Sequence, residues 1–153
     1  ENTWKSNAQL IELLVESVSK GGNLLLNVGP TARGVFDSRA QDRLTSMGEW
    51  MKYNNRSVYG CTEAPSGFNA PDNTILTYNP VTNRLYIHLL AYPMGSLSLP
   101  NMADKVKYVQ FLHDASEIRF SHSRWMGRSG MGSPINMAQK TIRISPTLQA
   151  SRK

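Results

Sequence analysis

The spacing of apolar positions changes partway along the chain. Up to Gly60 it is helical on both sides of one strand-like run, and from about Asn69 onward it alternates. Ser6 and Gln9, in Ser-Asn-Ala-Gln, have the spacing of a capping box that satisfies free amides at a helix start. Leu10, Ile11, Leu14, Val15 and Val18 then share one helical face. Lys20 suits the negative end of that helix, and Gly21 supplies a left-handed stop. Next come Leu24, Leu25 and Leu26 in an Asn23–Val28 run, closed by Gly29-Pro30. A strand apolar at consecutive positions has two buried faces, as in a parallel sheet covered by helices. Ser38 and Gln41 repeat the capping spacing beside Asp37, and Ala40, Leu44, Met47 and Met51 form a second stripe with Trp50 at its edge. Asn54-Asn55 ends that helix. The whole is a helix–strand–helix unit of the kind that tiles a barrel or a doubly wound sheet.

After Pro65, Gly67 and Pro71, which mark a linker, the period is two. Residues 74–78 and 84–90 flank Asn-Pro-Val-Thr-Asn, a hairpin signal. Short strands are expected at 96–99, 105–112, 117–120 and 141–145, together a small antiparallel β-sandwich. The Ser-, Gly- and Met-rich stretch from Ser121 to Gln139 reads as a long flexible loop. The expected organisation is therefore residues 1–62, a linker over 63–71, and a sandwich domain over 72–153.

Composition narrows the function classes. No apolar run approaches the roughly 18 to 20 residues that cross a bilayer, so no membrane partner is expected. Cys61 is the one cysteine, which excludes an intrachain disulfide and a thiolate zinc site. A formal charge of +6 raises the question of nucleic acid, but the basic residues are scattered, without an aromatic stacking platform, and no nucleic-acid partner is expected. His88, His113 and His122 lack ligand spacing, so no metal and no cofactor is expected. Asp114 with Glu117 reads as a turn leading into a strand rather than a catalytic pair. Asn55-Arg56-Ser57 has the form of a glycosylation acceptor, a triplet common by chance.

One parallel-type strand cannot satisfy its own backbone, and a complete eight-stranded barrel takes about 250 residues. Residues 1–60 are thus expected to be the end of a larger α/β domain whose other strands lie upstream of Glu1 or come from another chain. Two blocks bear on its identity: LVESVSKGGNLLLNVGPTARG, and the helix RAQDRLTSMGEWMKYNNRSVYG. Together they closely resemble the end of the catalytic domain of α-L-fucosidases, glycoside hydrolase family 29. TYNPVTNRLYIHLLAYP and LPNMADKVKYVQFLHDASEI are similar to the carboxyl-terminal β-sandwich of bacterial members. Trp4 stands where a tyrosine is common and Arg33 where an acidic residue is common.

The resemblance implies an α+β fragment: the last helix–strand–helix of a (β/α)8-like barrel followed by a small antiparallel sandwich. It implies a retaining glycosidase, in which two carboxylates about 5 Å apart serve as nucleophile and acid/base. Both lie upstream of the matched segment in this family, so no catalytic residue is expected in this chain, and the chain alone is expected to be inactive. Its partners would be a fucosylated glycan, met through the full-length parent, and the missing barrel segment. A periplasmic or secreted bacterial location follows from the same resemblance. Active sites of such barrels sit at the carboxyl ends of the strands. Trp4, Asn27, Gly29 and Pro30 are accordingly the pocket-adjacent candidates, each with a plainer structural role open to it. The alternative is a non-catalytic carbohydrate-binding module using Tyr78, Tyr86 and Tyr92.

Overall fold

The computed structural model describes residues 4–93, 96–100, 102, 105–125 and 139–144, with side chains described up to Ser121. Its elements are helices α1 (Asn7–Ser19) and α2 (Ser38–Asn54), then strands β1 (Thr74–Asn79), β2 (Arg84–Leu89), β3 (Leu97–Pro100), β4 (Phe120–Trp125) and β5 (Gln139–Ile144). Two compact units result: Glu1–Ala64 with Thr74–Leu90, and Pro65–Asn73 with Ala91–Lys153.

In the first unit α1 starts as the sequence dictates. Ser6 Oγ accepts from the Gln9 amide, and the Gln9 side chain accepts from the Ser6 amide at 2.8 Å. Leu10, Val15 and Val18 are buried along the expected face. Gly21, at φ +70°, ends the helix in the left-handed region that L side chains rarely adopt. The second cap differs from the expected Ser38–Gln41 box. Asp37 is the N-cap and accepts from the Arg39 amide at 2.9 Å, which makes Ser38 the first helical residue. A carboxylate is a stronger acceptor than a hydroxyl, and Asp37 also holds the Arg39 guanidinium, so the start moves one residue earlier.

The expected strand over Asn23–Val28 is extended but carries no ladder. Among the described residues, no backbone group from Asn23 to Gly29 hydrogen-bonds to another. Leu24, Leu26 and Val28 are half-buried against the unit, while Leu25 is 94% exposed. Among the described residues no backbone pairs with this stretch, and an extended segment becomes a strand only when another backbone pairs with it.

The hairpin forms as expected, with β1 antiparallel to β2 and Thr77 opposite Tyr86. It packs into the first unit through both faces, since Leu76 and Thr77 are both buried. An isolated bridge joins Thr62 to Tyr78 and extends it by one pair.

The second unit holds an antiparallel three-stranded sheet in the order β3-β5-β4, with Leu99 and Met102 buried. Two expectations change here. The loop expected over Ser121–Gln139 carries strand at both ends, because Ser121–Trp125 and Gln139 lie in β4 and β5. Residues 126–138 lie outside the described residues, as does Ser145. The strand expected over 105–112 is instead a loop. Only Gln110 bridges, to Glu117, around a tight turn in which Ala115 takes φ 58°. The Phe111 amide donates to Ser116 O and the Ile118 amide to Val109 O, so this alternating stretch closes on itself rather than joining the sheet.

Candidate functional site

The four candidate residues sit along the loop that leaves the leucine run and around the start of α2. Asn27 and Gly29 are exposed, and a Cβ on Gly29 would meet nothing within 4 Å, so no close packing demands a glycine there. Pro30 pairs with Phe36 in an isolated antiparallel bridge. Inside it the Thr31 amide and hydroxyl both donate to Val35 O at 2.8 Å, and the Gly34 amide donates to Thr31 O at 2.9 Å. Gly34 has φ +75°, which suits the turn. Phe36 O accepts from Gln41 Nε2 at 3.2 Å, so the loop is tied to the first turns of α2.

Trp4 belongs to the same end of α2. Arg39 Cζ lies 4.7 Å and Arg43 Cζ 5.2 Å from its ring centroid, both within cation–π range. Arg43 Nε donates to Lys5 O at 2.8 Å, and three residues further along α2 Ser46 Oγ accepts from Asn7 Nδ2 at 2.9 Å. Those pairs advance together, so the chain entering α1 runs alongside α2 in the same direction. Pro30 and Trp4 thus meet through the start of α2, by way of Phe36, Asp37 and Arg39. Asn27 and Gly29 lie just before this cluster with no bond into it among the described residues.

Electrostatically the cluster is cationic. The Arg39 side chain bonds to Asp37, which holds that carboxyl below its ordinary range with help from the Arg39 amide. Aspartate and arginine are paired at 3.0 Å. No ion pair among the described residues involves Arg43.

Sequence reasoning missed a buried relay at the joint of the first unit. Thr77 is wholly buried, and its hydroxyl donates to Ser57 O at 2.8 Å. His88 Nε2 is 3.0 Å from the same hydroxyl. The carbonyl can only accept, so the threonine proton is committed to it, and His88 must carry hydrogen on Nε2 to complete the contact. The ring stands 6.3 Å from that of Trp50, and burial pushes its pKa down to about 4. The signal was the position of His88 opposite Ile75 and beside Thr77, legible only once the hairpin register is known.

The remaining candidates are structural. Asp114 Oδ1 accepts from the Ser116 amide at 3.0 Å and hydroxyl at 2.8 Å, a local turn as expected. Bonds from the Ser116 amide and then its hydroxyl hold its pKa below the ordinary value. The Cys61 thiol donates to Arg56 O at 3.3 Å, and burial pushes its pKa up, away from a reactive thiolate. Tyr86 shares a hairpin face with Thr77, whereas Tyr78 lies on the opposite face, so these tyrosines do not form one platform. Among the described residues no helix is long and apolar enough to cross a membrane.

Comparison with known proteins adds a consistent picture. Residues 1–56 match the family model described as Alpha-L-fucosidase. Plasma alpha-L-fucosidase of Homo sapiens is 47% identical over 144 residues, covering 90% of this chain and 29% of that protein. The alpha-L-fucosidase of Branchiostoma floridae is 30% identical over 131 residues, covering 84% of this chain and 28% of the relative. Among solved structures, alpha-L-fucosidase isoenzyme 1 from Paenibacillus thiaminolyticus matches with a TM-score of 0.71 at 28% identity, covering 94% of this chain and 35% of that one. The chain therefore spans less than a third of the length of either curated relative.

Proposed function

This chain belongs to the α-L-fucosidases of glycoside hydrolase family 29, and from that premise we propose that it is the carboxyl-terminal part of a longer retaining enzyme. That enzyme hydrolyses terminal α-L-fucosyl linkages in glycans. Residues 1–62 close its (β/α)8-like barrel, 63–71 link, and 72–153 form its β-sandwich, whose first hairpin, Thr74–Leu90, packs back onto the Glu1–Ala64 segment. Asn23–Val28 is the last barrel strand, and the nucleophile and acid/base carboxylates stand on strands encoded upstream. Export to a periplasm or the medium belongs to the same proposal, supported by the family and by the human relative's being a plasma enzyme.

The observation that carries this reading is Leu25. Three consecutive leucines in an unpaired extended segment leave one 94% exposed, although burying such a side chain is worth about 1.5 to 3 kcal/mol. Flanking strands would bury it and bond the free backbone groups together. The described carboxylates point the same way. Three of them have partners unconnected with retaining chemistry: Asp37 is committed to Arg39, Glu16 to Lys20 and Asp114 to Ser116.

What the chain contributes is one wall of the pocket. Asn27, Gly29 and Pro30 lie at the carboxyl end of the strand, the face where barrel enzymes bind substrate. The Pro30–Phe36 bridge closes the following loop, Gln41 ties it to α2, and Trp4 stands at the same rim. The test is release of nitrophenol from 4-nitrophenyl α-L-fucoside. The chain alone is expected to give none above buffer, and co-expression with the upstream barrel segment of a family member is expected to restore it. Turnover by the chain alone, or a co-purifying complex without activity, contradicts the proposal.

A further inference from the structure

The contact of Ser57, Thr77 and His88 places a titratable ring where the hairpin meets the 3-10 turn Asn55–Ser57 that follows α2, and the proposed hydrolysis makes no use of it. His88 is half-buried, with Nε2 turned onto the hydroxyl of a wholly buried threonine 3.0 Å away. Because Nε2 already carries hydrogen, a further proton adds only at Nδ1 and leaves a full positive charge on the ring. No charge of the elements packed around the ring acts on it, neither Glu12 and Glu16 of α1, Glu49 and Lys52 of α2, Arg56 of the turn nor Arg84 of its own strand, and burial alone displaces its titration. Cys61, beside Thr77, is a thiol whose pKa burial raises, so it stays neutral in acid. Trp50 presents its ring at 6.3 Å, outside the roughly 6 Å within which a cation gains from an aromatic face.

The hairpin is otherwise held by the Thr62–Tyr78 bridge, with backbone bonds of 2.8 and 3.0 Å, and by the burial of Leu76, neither of which titrates. A cation buried without a counter-ion favours whichever state hydrates it, and undocking the hairpin does so. We propose that this contact is an acid-sensitive latch, in which protonation of His88 releases the Thr74–Leu90 hairpin from α1 and the Asn55–Ser57 turn while both helices stay folded. The docked ring titrates at about 4 against 6.5 for a hydrated one, so docking is at full strength above pH 6.5 and weakens as pH falls toward 4. These two values weaken docking roughly 20-fold between pH 7 and 5, and roughly 100-fold between pH 7 and 4. All the groups involved belong to this chain, and the inference does not rest on the fucosidase reading.

Hydrogen–deuterium exchange of the full chain at pH 7 and pH 5, corrected for the intrinsic exchange rate at each pH, tests the latch. The opening constant of the amides in β1 and β2 should rise roughly 20-fold, and at pH 5 these amides should open far more often than those of α1. His88→Gln, which keeps a donor for Thr77 and does not titrate, should abolish the rise. A hairpin that opens with one constant shared with α1 at both pH values, no rise in the unaltered chain, or the same rise in His88→Gln overturns the proposal. A check that needs no variant is the magnetic resonance titration of the His88 ring in the unaltered chain. Its midpoint should lie well below 6.5, and a midpoint at the ordinary value overturns the inference. No hydrolysis is read, so this result stands apart from that of the activity assay.

Discussion

Thr77 shows what a single buried hydroxyl fixes. Its proton goes to Ser57 O, which dictates the His88 tautomer, and the pair ties the hairpin to the 3-10 turn, Asn55–Ser57, that follows α2. Thr77→Val keeps the shape and removes both bonds, leaving a buried carbonyl and ring nitrogen without a partner. The expected loss is about 1 to 3 kcal/mol, read from the midpoint of urea unfolding. His88 gives a pH signature. Its folded pKa of about 4 lies below the ordinary 6.5, so the folded state binds fewer protons than the unfolded one. The stabilisation from the neutral ring is full above pH 6.5 and is lost as pH falls from there toward about 4. A shift of this size corresponds to about 3 kcal/mol. His88→Gln, which retains a donor, should flatten the acid limb of stability between pH 7 and about 4. An identical limb in the variant would assign acid sensitivity to another group. None of this was visible in the sequence, where a histidine within a strand looks the same whether it faces water or a buried threonine.

At the scale of elements, legibility followed how local the determining interaction is. The α1 cap depends on two residues three apart, and Ser6 with Gln9 gave it correctly. Ser6→Ala should cost about 1 kcal/mol, measured as a lowered unfolding midpoint. The α2 start repeated the same spacing at Ser38 and Gln41, yet the carboxylate one position earlier won, because it also engages Arg39. β4 escaped notice since Phe-Ser-His-Ser-Arg-Trp has little apolar alternation, and its pairing with β5 spans a long intervening stretch. Residues 105–112 alternate convincingly but turn back on themselves at Ala115. The leucine run reads as a two-faced strand, but in the structure it is extended without a ladder and Leu25 is exposed, because no other backbone pairs with it among the described residues. This yields a contrast for Leu25→Asp. In the chain alone it should change stability by less than about 0.5 kcal/mol, as for an exposed position. With the upstream barrel present it should abolish assembly and activity, and a large destabilisation of the chain by itself would contradict the placement of Leu25.

For the molecule as a whole, family membership rests on residues 1–56, which match the family model, and on a human relative 47% identical over 90% of the chain. The candidate residues gather only in part. Trp4 and Pro30 are brought to one end of α2, while Asn27 and Gly29 approach it without bonding into it. In the proposed longer enzyme Asn23–Val28 is a strand whose neighbours come from the upstream segment. Hydrogen–deuterium exchange at the amides of Leu24 to Val28 asks this directly, with the monomeric chain compared with the chain co-purified with an upstream barrel segment. Exchange should be fast in the chain alone and slowed by orders of magnitude in the complex, while the amides of α1 stay protected in both. Strong protection of those amides in the isolated monomer would mean that the segment already has its partners, and the reading of this chain as one wall of a larger barrel would be wrong.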